Sequence, residues 1–212
     1  MKIVVFGAAG VIGRRLIGQL LSQHHQVVAY DRNIDQWLDK SLEQDHIFVI
    51  KGYLLDRKEV EKAIRGTDAV FFLVSGEKDA GDISRSGGIK HVLNGMLTNR
   101  IRRIIVLGDA ILLDNESGHP VCEQDDFPPE RSAYASELLK MWQQLRDSEI
   151  DWTLVCPVEV TDLPESSAYI SFNSFSLAED RQSISAGDLV RFMVREMTEK
   201  KYIRERIGIA GS

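Results

Sequence analysis

The stretch that decides the fold opens the chain: residues 1–15 read MKIVVFGAAGVIGRR. Its apolar run, IVVF, is short and uninterrupted, which is typical of a strand buried on both faces of a sheet. Three glycines, Gly7, Gly10 and Gly13, follow at intervals of three. After them the apolar residues recur at helical spacing over 11–23. The sequence therefore predicts a buried strand, a glycine-rich turn and a helix in direct succession.

An export signal is a second way to explain this opening, because a lysine precedes an apolar run. A cleaved signal needs small residues after its apolar core, and Arg14 and Arg15 stand there instead. Leu16 and Leu20 then continue the helical pattern. We therefore expect the stretch to stay in the folded protein.

Strand-length apolar runs alternate with helix-period segments along the rest of the chain. Such alternation predicts right-handed βαβ crossovers and a sheet with helices on both faces. The fold class that we expect is α/β, with a doubly wound, mostly parallel sheet and a small C-terminal substrate-side region. The predicted strands are 2–7, 26–31, 46–52, 68–75, 103–107 and 153–156, and the predicted helices are 11–23, 35–43, 57–64, 88–98 and 132–148.

The 212 residues predict a single domain, 1–212, since no repeat, low-complexity tract or linker divides the chain. Two long irregular segments, 110–131 and 161–181, follow strand ends, where doubly wound sheets bind ligands. We expect them to form the substrate side, although mobile surface loops have the same sequence character. Ser185 and Asp188 then have the spacing of a capping box, which predicts the start of a last helix.

Composition excludes several classes of partner. The 26 basic and 32 acidic residues are mixed along the chain and give a net charge of −6, so the clustered cations of a nucleic-acid surface are missing. The two cysteines, Cys122 and Cys156, are too few for a disulfide framework, and the five histidines lack metal-ligand spacing. Every apolar run is shorter than the roughly 20 residues of a membrane span. We expect a cytoplasmic protein without metal, membrane or nucleic-acid partners.

The glycine turn lies where a dinucleotide phosphate site is built. Between a strand and a helix, Gly7 allows the tight turn, Gly10 lets the backbone approach a pyrophosphate, and Gly13 allows close packing of helix on strand. The N–H groups at the helix start then favour an anion. Asp31 ends the second predicted strand, where a carboxylate accepts the hydroxyls of the adenosine ribose. Dinucleotide binding is the leading interpretation, and a purely structural turn is the alternative.

The choice between NAD and NADP rests on two neighbouring residues with opposite effects. Asp31 would repel a 2′-phosphate and so favours NAD. Arg32 would pair with that phosphate or stack on the adenine. We favour NAD and leave NADP open.

Further motifs make the resemblance to a known family specific. The glycine turn, Val74-Ser75-Gly76 after the fourth strand, Tyr134 at the start of the long helix, and SEIDWTLVCP at 148–157 resemble the atypical short-chain dehydrogenase/reductases. The most similar subgroup contains the NmrA-like regulators and biliverdin reductase B, and the resemblance covers nearly the whole chain. It implies a Rossmann-like fold that binds NAD(P). It also implies that further residues contact the cofactor: Ala9, Val11 and Ile12 in the turn, Leu54 beside the adenine, and Val74, Ser75 and Gly76 on the adenosine side and ribose.

The chain departs from this family at the chemical positions. The resemblance implies a Ser after the fifth strand and a Tyr-x-x-x-Lys whose ammonium lowers the pKa of the tyrosine. Here Tyr134 is followed four residues later by Leu138, and Asp109 stands near the serine position. Asp109 and Tyr134 are therefore the candidate catalytic residues. For Asp109 the alternative is a turn cap, and for Tyr134 it is a packing or ribose contact.

Three functions remain compatible with these residues. The first is an NAD(P)-dependent oxidoreductase that reduces a flavin, a quinone or a small carbonyl acceptor without a Tyr/Lys acid, because hydride can pass directly to a planar acceptor. The second is a non-catalytic, NAD(P)-sensing regulator similar to NmrA-like proteins. The third is an enzyme similar to sugar-nucleotide epimerases and dehydratases, which the missing lysine disfavours. The expected partners are thus a dinucleotide cofactor and a small-molecule or flavin-like acceptor.

Overall fold

The computed structural model describes residues 1–36, 46–74, 82–166, 168–175 and 183–211. Ten strands lie within these ranges. They are β1 (Lys2–Phe6), β2 (Gln26–Asp31), β3 (Ile47–Lys51), β4 (Ala69–Phe72), β5 (Arg103–Leu107), β6 (Asp151–Pro157), β7 (Glu159–Thr161), β8 (Tyr169–Phe172), β9 (Ser183–Ser185) and β10 (Glu205–Gly211). Eight of them form one sheet in the order β3-β2-β1-β4-β5-β6-β10-β8, and β7 pairs with β9 in a small second sheet.

Helices cover both faces of the large sheet. They are α1 (Val11–Ser22), α2 (Arg57–Ile64), α3 (Ser84–Thr98), α4 (Ser132–Arg146) and α5 (Ala186–Glu199). Helices α1 and α5 contact each other over one apolar core, and α2, α3 and α4 contact in succession over the other. The expected α/β class with a doubly wound sheet is therefore confirmed.

The central strands are apolar on both faces because each face meets a layer of helices. In β1, Val4 lies opposite Val28 of β2 and Val70 of β4, all in the core under α2 and α3. The alternate residues Ile3 and Val5 lie in the core under α1 and α5. Two-sided burial is thus the reason that the strand has no polar alternation.

The order of the strands places the glycine turn at the switch point of the sheet. From β1 the chain passes to β2 and β3 on one side, and then returns to β4 on the other side of β1. Ligands of doubly wound sheets bind at the carboxyl ends of the strands where the order reverses. The turn after β1 lies at this edge, next to the residues that follow β4.

Four strands, β7 to β10, were not predicted. Within the segment 161–181, expected to be irregular, β8 pairs antiparallel with β10 at the edge of an otherwise parallel sheet. Strand β10 itself lies between β6 and β8. Its sequence, ERIGIAG, contains two glycines that suggest a turn. A Cβ atom at Gly208 would lie 2.2 Å from the ring of Phe172, so close packing between the strands explains that glycine.

Element boundaries differ elsewhere in small ways. Helix α3 begins at Ser84, four residues before its predicted start, and β6 extends over Asp151–Pro157. The helix predicted at 35–43 lies largely outside the described residues, which show a short 3-10 turn at Ile34–Gln36. The predicted capping box is confirmed, since the Asp188 amide donates to the Ser185 hydroxyl at 3.0 Å.

Neither a membrane-spanning helix nor a metal-binding cluster occurs within the described ranges. Among those residues, no helix combines the length and the apolar character that a bilayer crossing requires. In the same ranges, no three His, Cys, Asp or Glu side chains converge in a way that would hold a metal ion.

Candidate functional site

Two of the three turn glycines are required by the protein's own packing. Gly7 has φ +86°, and a Cβ atom there would lie 2.7 Å from the backbone oxygen of Leu73. A Cβ atom at Gly13 would lie 2.3 Å from the backbone oxygen of Gly7, because α1 packs directly on the turn. Both positions therefore exclude any larger residue.

Gly10 differs, because the protein itself leaves room for a side chain there. Among the described residues, a Cβ atom at Gly10 would meet only the Gly7 oxygen, at the ordinary contact distance of 3.5 Å. Gly10 is also the N-cap of α1, where a glycine has no side chain to occupy the first-turn amides. The turn therefore has the form of a cradle that is open on the side of the helix N-terminus, and its residues fit a dinucleotide pyrophosphate.

The Asp31 carboxylate, at the end of β2, is hydrogen-bonded to the glycine turn. Its Oδ2 accepts a hydrogen bond from the Ala9 amide at 3.2 Å, and its Oδ1 accepts one from the Asn33 amide at 2.8 Å. No pattern in the sequence indicated this structural role. A carboxylate has about four lone-pair sites, so two acceptor sites remain for ribose hydroxyls.

The other predicted cofactor residues lie around the same edge of the sheet. Arg32 is exposed beside Asp31, and in the first turn of α1 Val11 is exposed while Ile12 is half-buried. Leu54 and Val74, which follow β3 and β4, are half-buried against the core under α2 and α3. The predicted residues Ser75 and Gly76 lie outside the described residues.

The structure brings the two candidate catalytic residues together. Asp109 follows β5, and Tyr134 lies in the first turn of α4. The Tyr134 hydroxyl donates a hydrogen bond to Asp109 Oδ2 at 2.8 Å. Asp109 Oδ1 accepts from the Ile111 amide at 3.0 Å and so caps the short turn Ala110–Leu112. Asp109 therefore caps a turn, which is one of the two roles expected for it. It also accepts a hydrogen bond from Tyr134.

The environment of Tyr134 disfavours the phenolate. Burial raises the pKa of Tyr134 above its ordinary value, and the adjacent Asp109 carboxylate raises it further. The guanidinium groups of Arg85 and Arg131 act in the opposite direction without reversing the shift. This is the reverse of the Tyr/Lys arrangement, in which a cation lowers the pKa of the tyrosine.

The nearest lysine on the helix has another partner. Leu138, which stands where the lysine of the motif would be, is buried in the core. Lys140 Nζ donates to Glu137 Oε1 at 3.1 Å. Helical geometry directs Lys140 away from Tyr134, as its spacing in the sequence predicts.

The two cysteines are buried and are not disulfide-bonded. Burial raises the pKa of the Cys122 thiol to about 11 and raises that of Cys156 as well. A thiol must ionise to act as a nucleophile, so neither residue is activated. Glu159 in β7 is exposed.

Ion pairs attach both long segments to the body of the protein. Both oxygens of Asp114 accept from Arg206 Nη2, at 2.9 and 2.8 Å, and the Arg206 guanidinium stacks 3.9 Å from the ring centroid of Trp142. Arg15 of α1 pairs with Asp162 at 2.7 Å. Segments 110–131 and 161–166 are thereby joined to β10, α4 and α1.

Two arginines near Tyr134 were not identified from the sequence. The Arg85 guanidinium lies 4.7 Å from the centroid of the Tyr134 ring, and Arg131 Nη2 lies 3.9 Å from Asp109 Oδ2. Arg85 is in the first turn of α3, and Arg131 directly precedes α4. No pattern in the sequence joins these positions, because three separate elements bring the residues together.

Comparisons with known proteins agree with the fold and with the glycine turn. Residues 7–200 match the family described as NAD(P)H-binding. A curated relative, protein y4nG of Sinorhizobium fredii, is 27% identical over 163 residues, which are 73% of this chain and 40% of that protein. The chain therefore corresponds to less than half of the length of this relative.

Two solved structures have the same architecture over nearly the whole chain. A candidate NADH-flavin reductase from Streptococcus pneumoniae is 23% identical with a TM-score of 0.82, covering 100% of both chains. A short-chain dehydrogenase/reductase from Veillonella parvula, solved with NADP, is 19% identical with a TM-score of 0.80, covering 99% of this chain and 94% of that one. These likenesses support the fold, and the family match supports nicotinamide dinucleotide binding. On this evidence, the chain belongs to the NAD(P)H-binding family of Rossmann-fold proteins.

Proposed function

We propose that the protein is an NAD(P)H-dependent oxidoreductase of the atypical short-chain class, which reduces a flavin, a quinone or a small carbonyl acceptor without a Tyr/Lys acid. The hydrogen bond from Tyr134 to Asp109, together with the raised pKa of the tyrosine, carries the part of this proposal that dispenses with a Tyr/Lys acid. A proton donor near neutrality needs a pKa near the working pH, and Tyr134 is held far from it.

The proposal assigns the cofactor to the turn after β1. The amides at the start of α1 would hold the pyrophosphate beside Gly10, and Asp31 would accept ribose hydroxyls with its remaining lone pairs. We continue to favour NAD, because the Asp31 carboxylate would repel a 2′-phosphate. Bound there, a reduced nicotinamide would supply hydride to an acceptor stacked against it.

The acceptor end of the site is assigned to the neighbourhood of Asp109 and Tyr134. Both follow the carboxyl end of the sheet, on the β5 side of the switch point. Neighbouring strands are spaced by about 4.8 Å, so β5 lies roughly 10 Å from β1, and a ligand bound at the turn would extend toward this pair. Segments 110–131 and 161–166 border the same edge and are our candidates for the walls of the substrate side. The similarity to a candidate NADH-flavin reductase supports a planar acceptor.

Calorimetric titration with NAD⁺, NADH, NADP⁺ and NADPH tests the cofactor assignment. We expect binding to the wild type and weaker binding to Asp31→Ala. The activity is tested by following nicotinamide oxidation with flavins, quinones and aldehydes. Oxidation with a planar acceptor supports the proposal, and the absence of binding by all four nucleotides would reject it.

A regulatory function is the second candidate, and one observation favours it. With Leu138 buried and Tyr134 paired to a carboxylate, the described part of the site shows no activated acid, and a protein that only senses the dinucleotide would not need one. Binding of the cofactor without turnover on the whole acceptor panel would select this alternative. Either function fits a cytoplasmic location, which the two unbridged cysteines support.

A further inference from the structure

Arg85 is a largely buried cation, and within the described residues no carboxylate lies at ion-pair distance from its guanidinium. The residue is only 6% exposed, in the first turn of α3. Its one contact of polar character in the described part of the chain is with the face of the Tyr134 ring. Removing a guanidinium from water is costly unless charges or hydrogen bonds replace the lost hydration, and an aromatic face replaces only part of it.

The nearby carboxylates already have other donors. Glu137, one helical turn after Tyr134, accepts from the Ser86 hydroxyl at 2.7 Å and from Lys140 at 3.1 Å. Asp109 accepts from Tyr134 and from a backbone amide. The cluster of Arg85, Arg131, Tyr134 and Asp109 therefore carries two positive charges and one negative charge.

The N-terminus of α3 adds to the net positive charge of this cluster. Arg85 lies at the N-terminal end of a 15-residue helix, where the helix dipole is positive. Arg131 is half-exposed at the edge of the cluster, and its contact with Asp109 is long at 3.9 Å. Arg131 also lies over the Phe127 ring, 5.7 Å from its centroid. An anion entering beside Tyr134 would therefore meet one buried guanidinium and one half-exposed guanidinium.

We propose that Arg85, assisted by Arg131, binds an anionic group of the acceptor beside the Asp109–Tyr134 pair. The subsite would take a phosphate or a carboxylate on a planar ring system, through charge-assisted hydrogen bonds to the guanidinium groups. This inference rests on the proposed function, since it assigns the acceptor to the same site. It narrows the substrate class to acceptors that carry a negative charge.

The cofactor's own phosphates have a separate place. The cradle for the pyrophosphate is the N-terminus of α1, which lies against the opposite face of the sheet from α3 and α4. The 2′-phosphate of NADP would lie near Arg32, after β2. The anion that Arg85 meets is therefore assigned to the acceptor, and the affinity for NADH should be unaffected by changes at Arg85.

Two matched pairs of probes test the subsite by binding alone. FMN and riboflavin differ by one phosphate, and anthraquinone-2-carboxylate and its amide differ by one negative charge. We expect the wild type to bind the anionic member of at least one pair about tenfold more tightly, or about 1.4 kcal/mol. In Arg85→Gln this preference should fall to about twofold or less, with the affinity for the neutral member unchanged. The pair that shows the preference identifies phosphate or carboxylate as the group bound.

An exposed arginine and a stability measurement provide the controls. Arg65→Gln, at the exposed end of α2, should keep the full anion preference. Without ligand, Arg85→Gln should unfold close to the wild-type temperature, because within the described residues the guanidinium has only the Tyr134 ring contact to lose. Addition of the anionic probe that the wild type prefers should raise the unfolding temperature of the wild type more than that of the variant.

Several results would overturn the proposal. Equal affinities within both pairs for the wild type would do so, as would a preference that survives Arg85→Gln. A lower unfolding temperature for Arg85→Gln with the preference retained would show that Arg85 only supports Tyr134. Because these readouts need no turnover, failure to oxidise NADH would reject the proposed function and leave the binding result intact.

Discussion

The Tyr134 hydroxyl donates a hydrogen bond to Asp109 Oδ2 at 2.8 Å, so its partner is a carboxylate and not the cation of a Tyr/Lys pair. Tyr134 is therefore held in its neutral form, with a raised pKa. The same hydrogen bond fixes the start of α4 against the residues that follow β5. The hydrogen bond between Tyr134 and Asp109 thus keeps the tyrosine from acting as the acid of a Tyr/Lys pair. It also joins α4 to the residues after β5.

The alkaline stability of the protein should depend on Tyr134. In the unfolded chain a tyrosine ionises near pH 10, whereas in the folded protein Tyr134 stays neutral to higher pH. Its contribution to the free energy of unfolding is complete below about pH 10 and is lost as the pH rises further. Denaturant unfolding between about pH 9 and 12 should show a steeper decline for the wild type than for Tyr134→Phe.

At neutral pH, Tyr134→Phe should cost about 1 kcal/mol, the usual value of one lost hydrogen bond. Tyr30, whose pKa is also raised by burial, is present in both proteins and gives a common background. Identical pH profiles for the two proteins would contradict the structure around Tyr134.

Asp109→Asn should lower the pKa of Tyr134. The substitution keeps an oxygen that accepts from the tyrosine but removes the negative charge that disfavours the phenolate. Ultraviolet titration of the phenol group, with Tyr134→Phe as the reference, should show ionisation at lower pH than in the wild type. An unchanged or higher pKa would mean that burial alone sets the shift.

Substitutions at the turn glycines should separate effects on dinucleotide affinity from effects on the free energy of unfolding. Gly10→Ala places a methyl group where the protein has ordinary contact space, in an extended conformation with φ −69° that alanine accepts. We expect a cost in the free energy of unfolding of about 1 kcal/mol or less, and a loss of dinucleotide affinity of about tenfold or more. Calorimetric titration and chemical denaturation measure the two effects.

Gly13→Ala is the matched variant, because its methyl group would meet the Gly7 oxygen at 2.3 Å. This overlap should destabilise the fold by about 1–3 kcal/mol. If Gly10→Ala bound NADH as the wild type does, the cradle would not be the cofactor site.

Arg206 should contribute stability through the segment that it holds. Its pair with Asp114 is bidentate, its side chain is 15% exposed, and it stacks on Trp142. Arg206→Met should keep the packing on Trp142 but leave Asp114 unpaired, at a cost of about 1–3 kcal/mol. Denaturant unfolding measures this cost, and Arg65→Gln, which lacks such contacts, should stay within about 0.5 kcal/mol of the wild type.

The sequence predicted most of the framework because local patterns determine it. The strand, turn and helix over the first 22 residues, the buried strands β2 and β5, and α2 were all expected, since their apolar spacing reflects two-sided or one-sided burial directly. Strands β7 to β10 were missed. Short edge strands and glycines that pack closely have no periodic signal of their own, and their pairing depends on residues distant in the chain.

Some residues of the candidate site were likewise predictable from the sequence, and others were not. The glycine turn and Asp31 were found because a single βαβ unit contains them. The partnership of Asp109 with Tyr134, and the positions of Arg85 and Arg206, depend on the packing of α3, α4 and β10 at one edge of the sheet. Spacing along the chain carries no information on these contacts, although polar residues near strand ends indicated where to look.

The rate of NADH or NADPH oxidation by Tyr134→Phe, with the acceptor that the wild type uses best, tests the central claim most directly. A positioned acid contributes roughly 10²–10⁴-fold to the rate of a reaction that depends on it. The account predicts that kcat for Tyr134→Phe stays within about threefold of the wild-type value, because the neutral tyrosine is not the proton donor. A fall of about 100-fold or more in kcat, with the fold and the dinucleotide affinity retained, would contradict it.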